Sequence, residues 1–178
     1  MRMQEIKLST PWFEDWKPDF IGTLVFVIDD SRVLLIHKKT GHGRGKINGP
    51  GGKLEDGETI TDCAVREVRE ETGLIVDDLS CKAELRFVEK SGFQWLGFAF
   101  IAKHWKGKLL ETAEARPFWS EIDSIPYEQM WPDDQIWLPR IVATDHQPGV
   151  LVYSFLLQDD LLIDFHLEKE GRLSLPVG

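Results

Sequence analysis

From residue 22 the chain reads GTLVFVID, an apolar run of the kind seen in a strand buried on both faces. A polar break, DDSR, separates it from a second run, VLLIHKK, and the two together predict a hairpin. Glycine then dominates: residues 40–58, TGHGRGKINGPGGKLEDGE, show no periodicity, and a loop of that length inside a compact domain is usually functional. The period changes again in TITDCAVREVREETG, where Ala64, Val65 and Val68 make an apolar stripe. Thr59 or Thr61 serves as N-cap and Gly73 as the stop, so residues 59–73 predict a helix. Further on, CKAELRFVEK, QWLGFAFIAKHW and RPFWSEI predict strands. IPYEQMWPDDQIWLPRIVA holds a short helix from near Pro132, and GVLVYSFLLQDDLLIDFHLEK gives two apolar runs about QDD, a closing hairpin. Strands outnumber helices and enclose one strong helix, so the expected class is α/β or α+β with layers of both.

The 178 residues suit one domain spanning 1–178, with residues 1–20 as an N-terminal extension. An apolar content of 42% with 11% aromatics describes a globular chain. No apolar run approaches the ~20 residues of a membrane span, and the first residues lack a secretory h-region, so the expectation is a cytoplasmic protein with no membrane partner. Cys63 and Cys81 are too few for a disulfide framework and lack metal-site spacing; they read as packing residues. A net charge of -9, from 30 acids against 21 Lys and Arg, argues against a nucleic-acid polymer as partner. A small phosphate-bearing ligand stays compatible where metal ions and a few local cations reverse the field. Lys38, Lys39, Arg44, Lys46 and Lys53 gather around the glycine loop, and Lys38 and Lys53, which flank it, are the candidates to touch phosphate.

Glu67, Glu70 and Glu71 stand at i, i+3 and i+4, which a helical period collects on one face. One account is a solvated face laced by Arg66 and Arg69. The other is that hard divalent cations neutralise the acids, since Mg²⁺ favours carboxylate oxygens and completes its shell with water and substrate phosphates. The preceding loop bears on the choice. Within residues 52–74, GKLEDGETITDCAVREVREETGL, Gly52, Glu58, Arg66, Glu67, Val68, Glu70, Glu71, Gly73 and Leu74 follow the spacing G-x5-E-x7-R-E-U-x-E-E-x-G-U, with U a bulky aliphatic. The chain resembles the Nudix hydrolases in this stretch. That resemblance implies an α/β/α sandwich with a central mixed sheet, and divalent metals that cleave a nucleoside diphosphate linked to another group. It implies Glu67, Glu70 and Glu71 as metal ligands and catalytic acids, joined by the Gly51 carbonyl, with Arg66 orienting a glutamate and Glu58 behind it. Glu114, in ETAEARPFW, is implied as a further ligand or base, with Glu111 close by as the alternative. Mg²⁺ is the implied cofactor and Mn²⁺ its substitute.

The stretch MWPDDQIW sets Asp133 and Asp134 between Trp131 and Trp137. Read alone, Pro132 and Asp133 start a helix whose positive end favours acids. Together with VLLIHKKTGHGRGKINGPGGK, EARPFWSEIDSIP and LLIDFHLEK, the stretch resembles the MutT-like subfamily that hydrolyses oxidised purine nucleoside triphosphates. The subfamily implies Asn48, Trp131, Asp133 and Asp134 as a base pocket, with Thr23 and Phe87 also binding substrate; by residue type alone Phe87, Trp95 and Trp137 read as core aromatics. A purine is flat with a polar edge, so one Trp face and two carboxyls make a recognition set. Two acids packed together in an apolar pocket push one pKa upward, so one donates while the other accepts. Departures stand at His42, Ile47 and Pro50, where the subfamily carries aromatics, and at Trp95, where it carries a thioether. The implied activity is hydrolysis of 8-oxo-dGTP or 2-oxo-dATP type nucleotides to monophosphate and pyrophosphate by a monomer or homodimer. The alternatives are dGTP, a methylated purine nucleotide or a nucleotide sugar.

Overall fold

The computed structural model describes residues 16–143, 149–170, 173 and 176–178; residues 1–15 of the expected extension lie outside the described residues. In chain order the strands and helices are β1 (Phe20–Asp29), β2 (Arg32–Lys38), β3 (Ile47–Asn48), α1 (Ile60–Thr72), β4 (Ile75–Asp77), β5 (Ser80–Glu89), β6 (Gln94–Ala102), β7 (His104–Lys106), β8 (Ala115–Glu121), α2 (Asp134–Val142), β9 (Leu151–Gln158) and β10 (Leu161–Glu170). The main sheet runs β10-β9-β5-β6-β1-β2-β3, with β8 on the other edge of β2. It is mixed: β1 lies parallel to β6 and β5 parallel to β9, while β5–β6 and β9–β10 are antiparallel. Strands β4 and β7 form a separate pair.

Central strands buried on both faces explain the unbroken apolar runs. Val25, Val27, Leu34, Leu96, Phe98 and Phe100 pack on one face with Ile60, Ala64 and Val68 of α1. Phe26, Val33, Leu35, Leu85, Ala99, Tyr153 and Phe155 pack on the other with Trp137, Leu138 and Ile141 of α2. The result is helix, sheet, helix.

Strands β1 and β2 pair only at Ile28–Val33 and Asp29–Arg32, and then diverge. Into the gap runs the glycine loop: Thr23 N–H donates to the Gly52 carbonyl (2.9 Å), Val25 N–H to that of Pro50 (2.8 Å), and Leu54 N–H to that of Ile21 (2.9 Å). The loop therefore satisfies an edge that β2 leaves open, and it delivers the chain to the start of α1. There Thr59 and Asp62 form a reciprocal capping box (Asp62 N–H to Thr59 Oγ1, 3.0 Å; Thr59 N–H to Asp62 Oδ2, 3.2 Å), and Gly73 closes the helix in the left-handed region.

The structure departs from the expected elements in three places. QWLGFAFIAKHW breaks at Lys103 into β6 and β7, which belong to different sheets. β3 lies inside the expected loop, held by β2 at Ile36–Asn48 and His37–Ile47, and β4 is also unanticipated. Helix α2 begins at Asp134, and Asp133 makes no capping bond with its side chain. Ile47, one of the departures from the resemblance, is a core residue at 3% exposure. The closing hairpin forms as expected, with Asp159 and Asp160 both at positive φ in a two-residue turn.

Candidate active site

Gly51 and Gly52 bring the loop against α1; a side chain is excluded at Gly51, and one at Gly52 would displace the Glu67 carboxylate. A Cβ on Gly51 would collide with the Thr23 carbonyl, and one on Gly52 with the Glu67 carboxylate. Because the carbonyls flanking Gly51 point to β1, the peptide groups of Gly51 itself turn the other way, toward α1. Its N–H donates to Glu71 Oε2 at 2.9 Å.

Glu67 and Glu71 lie one helical turn apart on the inner side of α1, at 9% and 0% exposure. Burial pushes both carboxyls up, and cations oppose it. Arg66 Nη1 donates to Glu67 Oε1 (2.7 Å) and Glu70 Oε2 (3.1 Å), while Nε and Nη2 grip Glu58 (2.5 and 3.0 Å) and hold it below the usual carboxylate range. Lys38, at the end of β2, donates to Glu71 Oε1. Among the described residues no three acid, His or Cys side chains converge on one point; Arg66 and Lys38 occupy the carboxylate oxygens of this cluster instead. Carboxylate oxygens with a backbone carbonyl at their side nonetheless form the donor set that a hard divalent cation takes. Glu114, exposed on the loop before β8, lies close enough to Glu71 to raise its pKa further.

A cavity of about 350 Å³ opens beside these acids and is lined by Glu67, Glu114, Lys38 and Lys53 at one end and by Asn48, Trp131, Asp133 and Asp134 at the other. Asn48 Oδ1 accepts the Gly49 N–H (2.8 Å), which leaves its NH₂ to donate. Asp134 Oδ2 accepts the Trp131 N–H (3.0 Å), and Asp133 Oδ2 accepts Trp137 Nε1–H (3.0 Å). These donors are neutral. With the two carboxyls 4% and 2% exposed, burial raises both pKa values, and the charge of Asp133 raises that of Asp134 further. The Asp133 carboxyl is therefore an acceptor for a core indole and makes no capping bond to α2.

A row of rings is assembled by strand register, Phe20 opposite Trp95, Trp95 opposite Phe87, Phe87 opposite Phe155 and Phe155 opposite Phe165, and its first three members line the cavity. Centroid separations along it are 6.2, 4.8, 5.2 and 6.4 Å. His42 stacks on Trp131 (4.9 Å, 14° between planes) and meets Trp95 edge-on (6.2 Å), while Lys46 Nζ sits 4.7 Å from the Trp131 ring centre. Burial holds the His42 ring below the usual histidine range against the opposing charge of Asp160. A larger hollow, about 590 Å³, sits at the far end of β1 among Asp29, Lys103 and Arg140, away from the glycine loop.

Residues 19–141 match the model of the NUDIX domain. The chain belongs to the NUDIX family. It is 45% identical over 148 residues to the oxidized purine nucleoside triphosphate hydrolase of Danio rerio, covering 83% of this chain and 93% of that protein. The Mus musculus protein of the same name is 43% identical over 149 residues, with the same coverage. Among solved structures, the mMutator MutT protein from Bacillus halodurans superposes with a TM-score of 0.73 at 28% identity, covering 84% of this chain and 97% of that one. NUDIX hydrolases act with divalent metal ions on small nucleotide substrates. No helix among the described residues is long and apolar enough to cross a membrane.

Of the residues expected in the site, this NUDIX chain brings Thr23, Lys38, Asn48, Gly51 and Lys53 to the cavity wall together with Glu67, Phe87, Glu114, Trp131, Asp133 and Asp134. Glu71 and Arg66 lie behind that wall, and Glu70, with its side chain 53% exposed, sits outside it under Arg66. Lys53 stands over the Phe20 ring (4.4 Å), and Lys39 pairs with Glu111 on the rim. The core reading holds for Trp137, at 0% exposure, and for Phe87, at 7%, which also lines the cavity; Trp95 is partly buried against the same core and forms cavity wall. Trp95 faces the cavity because β6 pairs with both β1 and β5, an order that no local pattern encodes. His42 was visible only as a departure from the resemblance; its stack on Trp131 comes from the folding of the glycine loop.

Proposed function

We propose that this NUDIX hydrolase converts oxidised purine nucleoside triphosphates, of the 8-oxo-dGTP and 2-oxo-dATP type, to monophosphate and pyrophosphate with Mg²⁺. We also read the whole chain as one such domain working in the cytoplasm. The observation that carries the proposal is the buried pair Asp133–Asp134, bonded only to neutral donors, beside Trp131 and in the same cavity as Glu67. The names of the Danio rerio and Mus musculus relatives support the same substrate class.

In this reading the purine stacks on Trp131, and Asn48 donates to its edge through the NH₂ that Gly49 leaves unused. Asp133 and Asp134 share one proton, so one carboxyl donates while the other accepts, and the pair fits purines whose donor and acceptor orders differ. Thr23 and Phe87 close the pocket, and Lys38 and Lys53 meet the phosphates. Glu67, Glu70 and Glu71, with the Gly51 carbonyl and Glu114, would hold Mg²⁺, which when bound supplies charge neutralisation at phosphorus and a more acidic water. Arg66 keeps Glu67 aimed by anchoring itself on Glu58.

The test is kcat/KM for pyrophosphate release from 8-oxo-dGTP, 2-oxo-dATP, dGTP, dATP and ADP-ribose, a ratio that reports discrimination directly. Preference for an oxidised purine by about tenfold or more over dGTP is expected. Equal or better turnover of dGTP or ADP-ribose would transfer the assignment to another nucleotide and make His42 and Trp95 the residues that reshaped the pocket.

A further inference from the structure

Glu71 is the most enclosed acid of the α1 cluster, and both of its oxygens are engaged. Oε2 accepts the Gly51 N–H, and Oε1 accepts the ammonium of Lys38, a residue 33 positions away in sequence. The Lys38 side chain is 18% exposed against 0% for Glu71, so the ammonium sits between the buried acid and the cavity. The other cations of the site are placed differently. Arg66 has Glu58 as an anchor independent of Glu67, and Lys53 lies over Phe20. Among the described residues Lys38 has no acidic partner besides Glu71.

An ammonium and a divalent ion on one carboxylate oxygen repel each other strongly in a poorly hydrated site, because their mutual repulsion there is far less screened than in water. Resting on the proposal that Glu71 is a metal ligand, we infer that Lys38 and the divalent ion exclude one another at Glu71, and that Lys38 is a positioning residue coupling the ion to the nucleotide. While Lys38 holds Glu71, the acid is neutralised by the chain and its carboxylate is kept in place. When the ion takes Glu71, the ammonium turns to the adjoining cavity, where phosphate oxygens replace the carboxylate it gave up. Displacing Lys38 is costly with no phosphate present and cheap with one, so ion and nucleotide each favour the other's binding. By linkage the effect is reciprocal.

Mn²⁺ binding to the free protein, followed by electron paramagnetic resonance without nucleotide, tests this. Lys38→Met is expected to lower the Mn²⁺ Kd by about tenfold, within the usual range of a coupling between sites. Lys38→Gln, which keeps a donor for Glu71 without the charge, guards against a misfolded methionine variant and should tighten binding in the same direction. Lys53→Met removes one positive charge from the same cavity and should change the Kd much less. Unchanged or weaker Mn²⁺ binding in both Lys38 variants overturns the inference, as does an equal gain in Lys53→Met, which would reduce the effect to net charge. If Glu71→Gln binds Mn²⁺ as the wild type does, the reading of Glu71 as a ligand fails, and the inference with it.

Discussion

The cavity has acids at both ends, and the two sets are treated in opposite ways. At the α1 end each buried carboxyl has a cation: Arg66 on Glu67 and Lys38 on Glu71. At the other end Asp133 and Asp134 have an indole N–H and a backbone N–H, and no cation within bonding distance. Burial raises the pKa at both ends; cations bonded to the carboxyls oppose it at the α1 end, while at the other end only the unbonded charge of Lys46 opposes it, at Asp134. The same functional group is thus paired with a cation in one place and with neutral donors in the other, which in the proposed function makes the first an oxygen donor to a metal ion and the second a hydrogen-bonding edge. Partner choice, more than burial, separates an acid suited to a metal ion from an acid suited to reading a base.

The comparison breaks first at Glu71. Glu71→Gln removes a charged oxygen donor and keeps the shape, so kcat/KM should fall by about 100- to 1,000-fold, the size seen when one preorganised electrostatic contact is lost. Full turnover in that variant would refute the role proposed for the residue. At the other end the proposed stacking partner of the base is the Trp131 ring. Trp131→Ala should cost ~1–3 kcal/mol of base stacking, seen as a higher KM with kcat little changed, and Trp131→Phe should recover part of it.

How much of this was legible beforehand divides along the same line. The α1 end could be read from the chain because its parts lie within one segment: the glycines, the Thr59 cap and the acids at helical spacing all fall in residues 51–73. Even there, the sequence could not tell that Lys38 rather than Lys39 reaches Glu71, since that depends on β2 diverging from β1. The base end draws on Trp131, His42, Trp95 and Leu157, brought together by sheet order and by the fold of the glycine loop. Asp133 shows the limit most clearly. Its place before a helix predicts a cap, and the structure gives its carboxylate to Trp137, because a core indole four residues on also needs an acceptor.

A smaller effect distinguishes the two ends by pH. Asp134 has a raised pKa in the folded protein, so the fold binds more protons than the unfolded chain between the ordinary Asp value near 4 and the raised value. The stability linked to this acid is full below about pH 4 and is lost as pH rises to and through the raised pKa. Asp134→Asn fixes the neutral form and can still accept the Trp131 N–H. The difference in Tm between variant and wild type should therefore grow in the variant's favour from pH 5 to pH 8, by a few degrees at about 2–4 °C per kcal/mol. A Tm difference independent of pH would mean that Asp134 is ionised across that range.

In the proposed function Asp133 and Asp134 read the base through one shared proton, and the ratio of kcat/KM for 8-oxo-dGTP to that for 2-oxo-dATP measures this in the wild type, Asp133→Asn and Asp134→Asn. An amide fixes the donor and acceptor order that the acid pair leaves free, so each variant should keep one oxidised purine and lose the other, moving the ratio by about tenfold or more, the size of one hydrogen-bond mismatch. An equal loss on both nucleotides, with the ratio unchanged, would contradict the account.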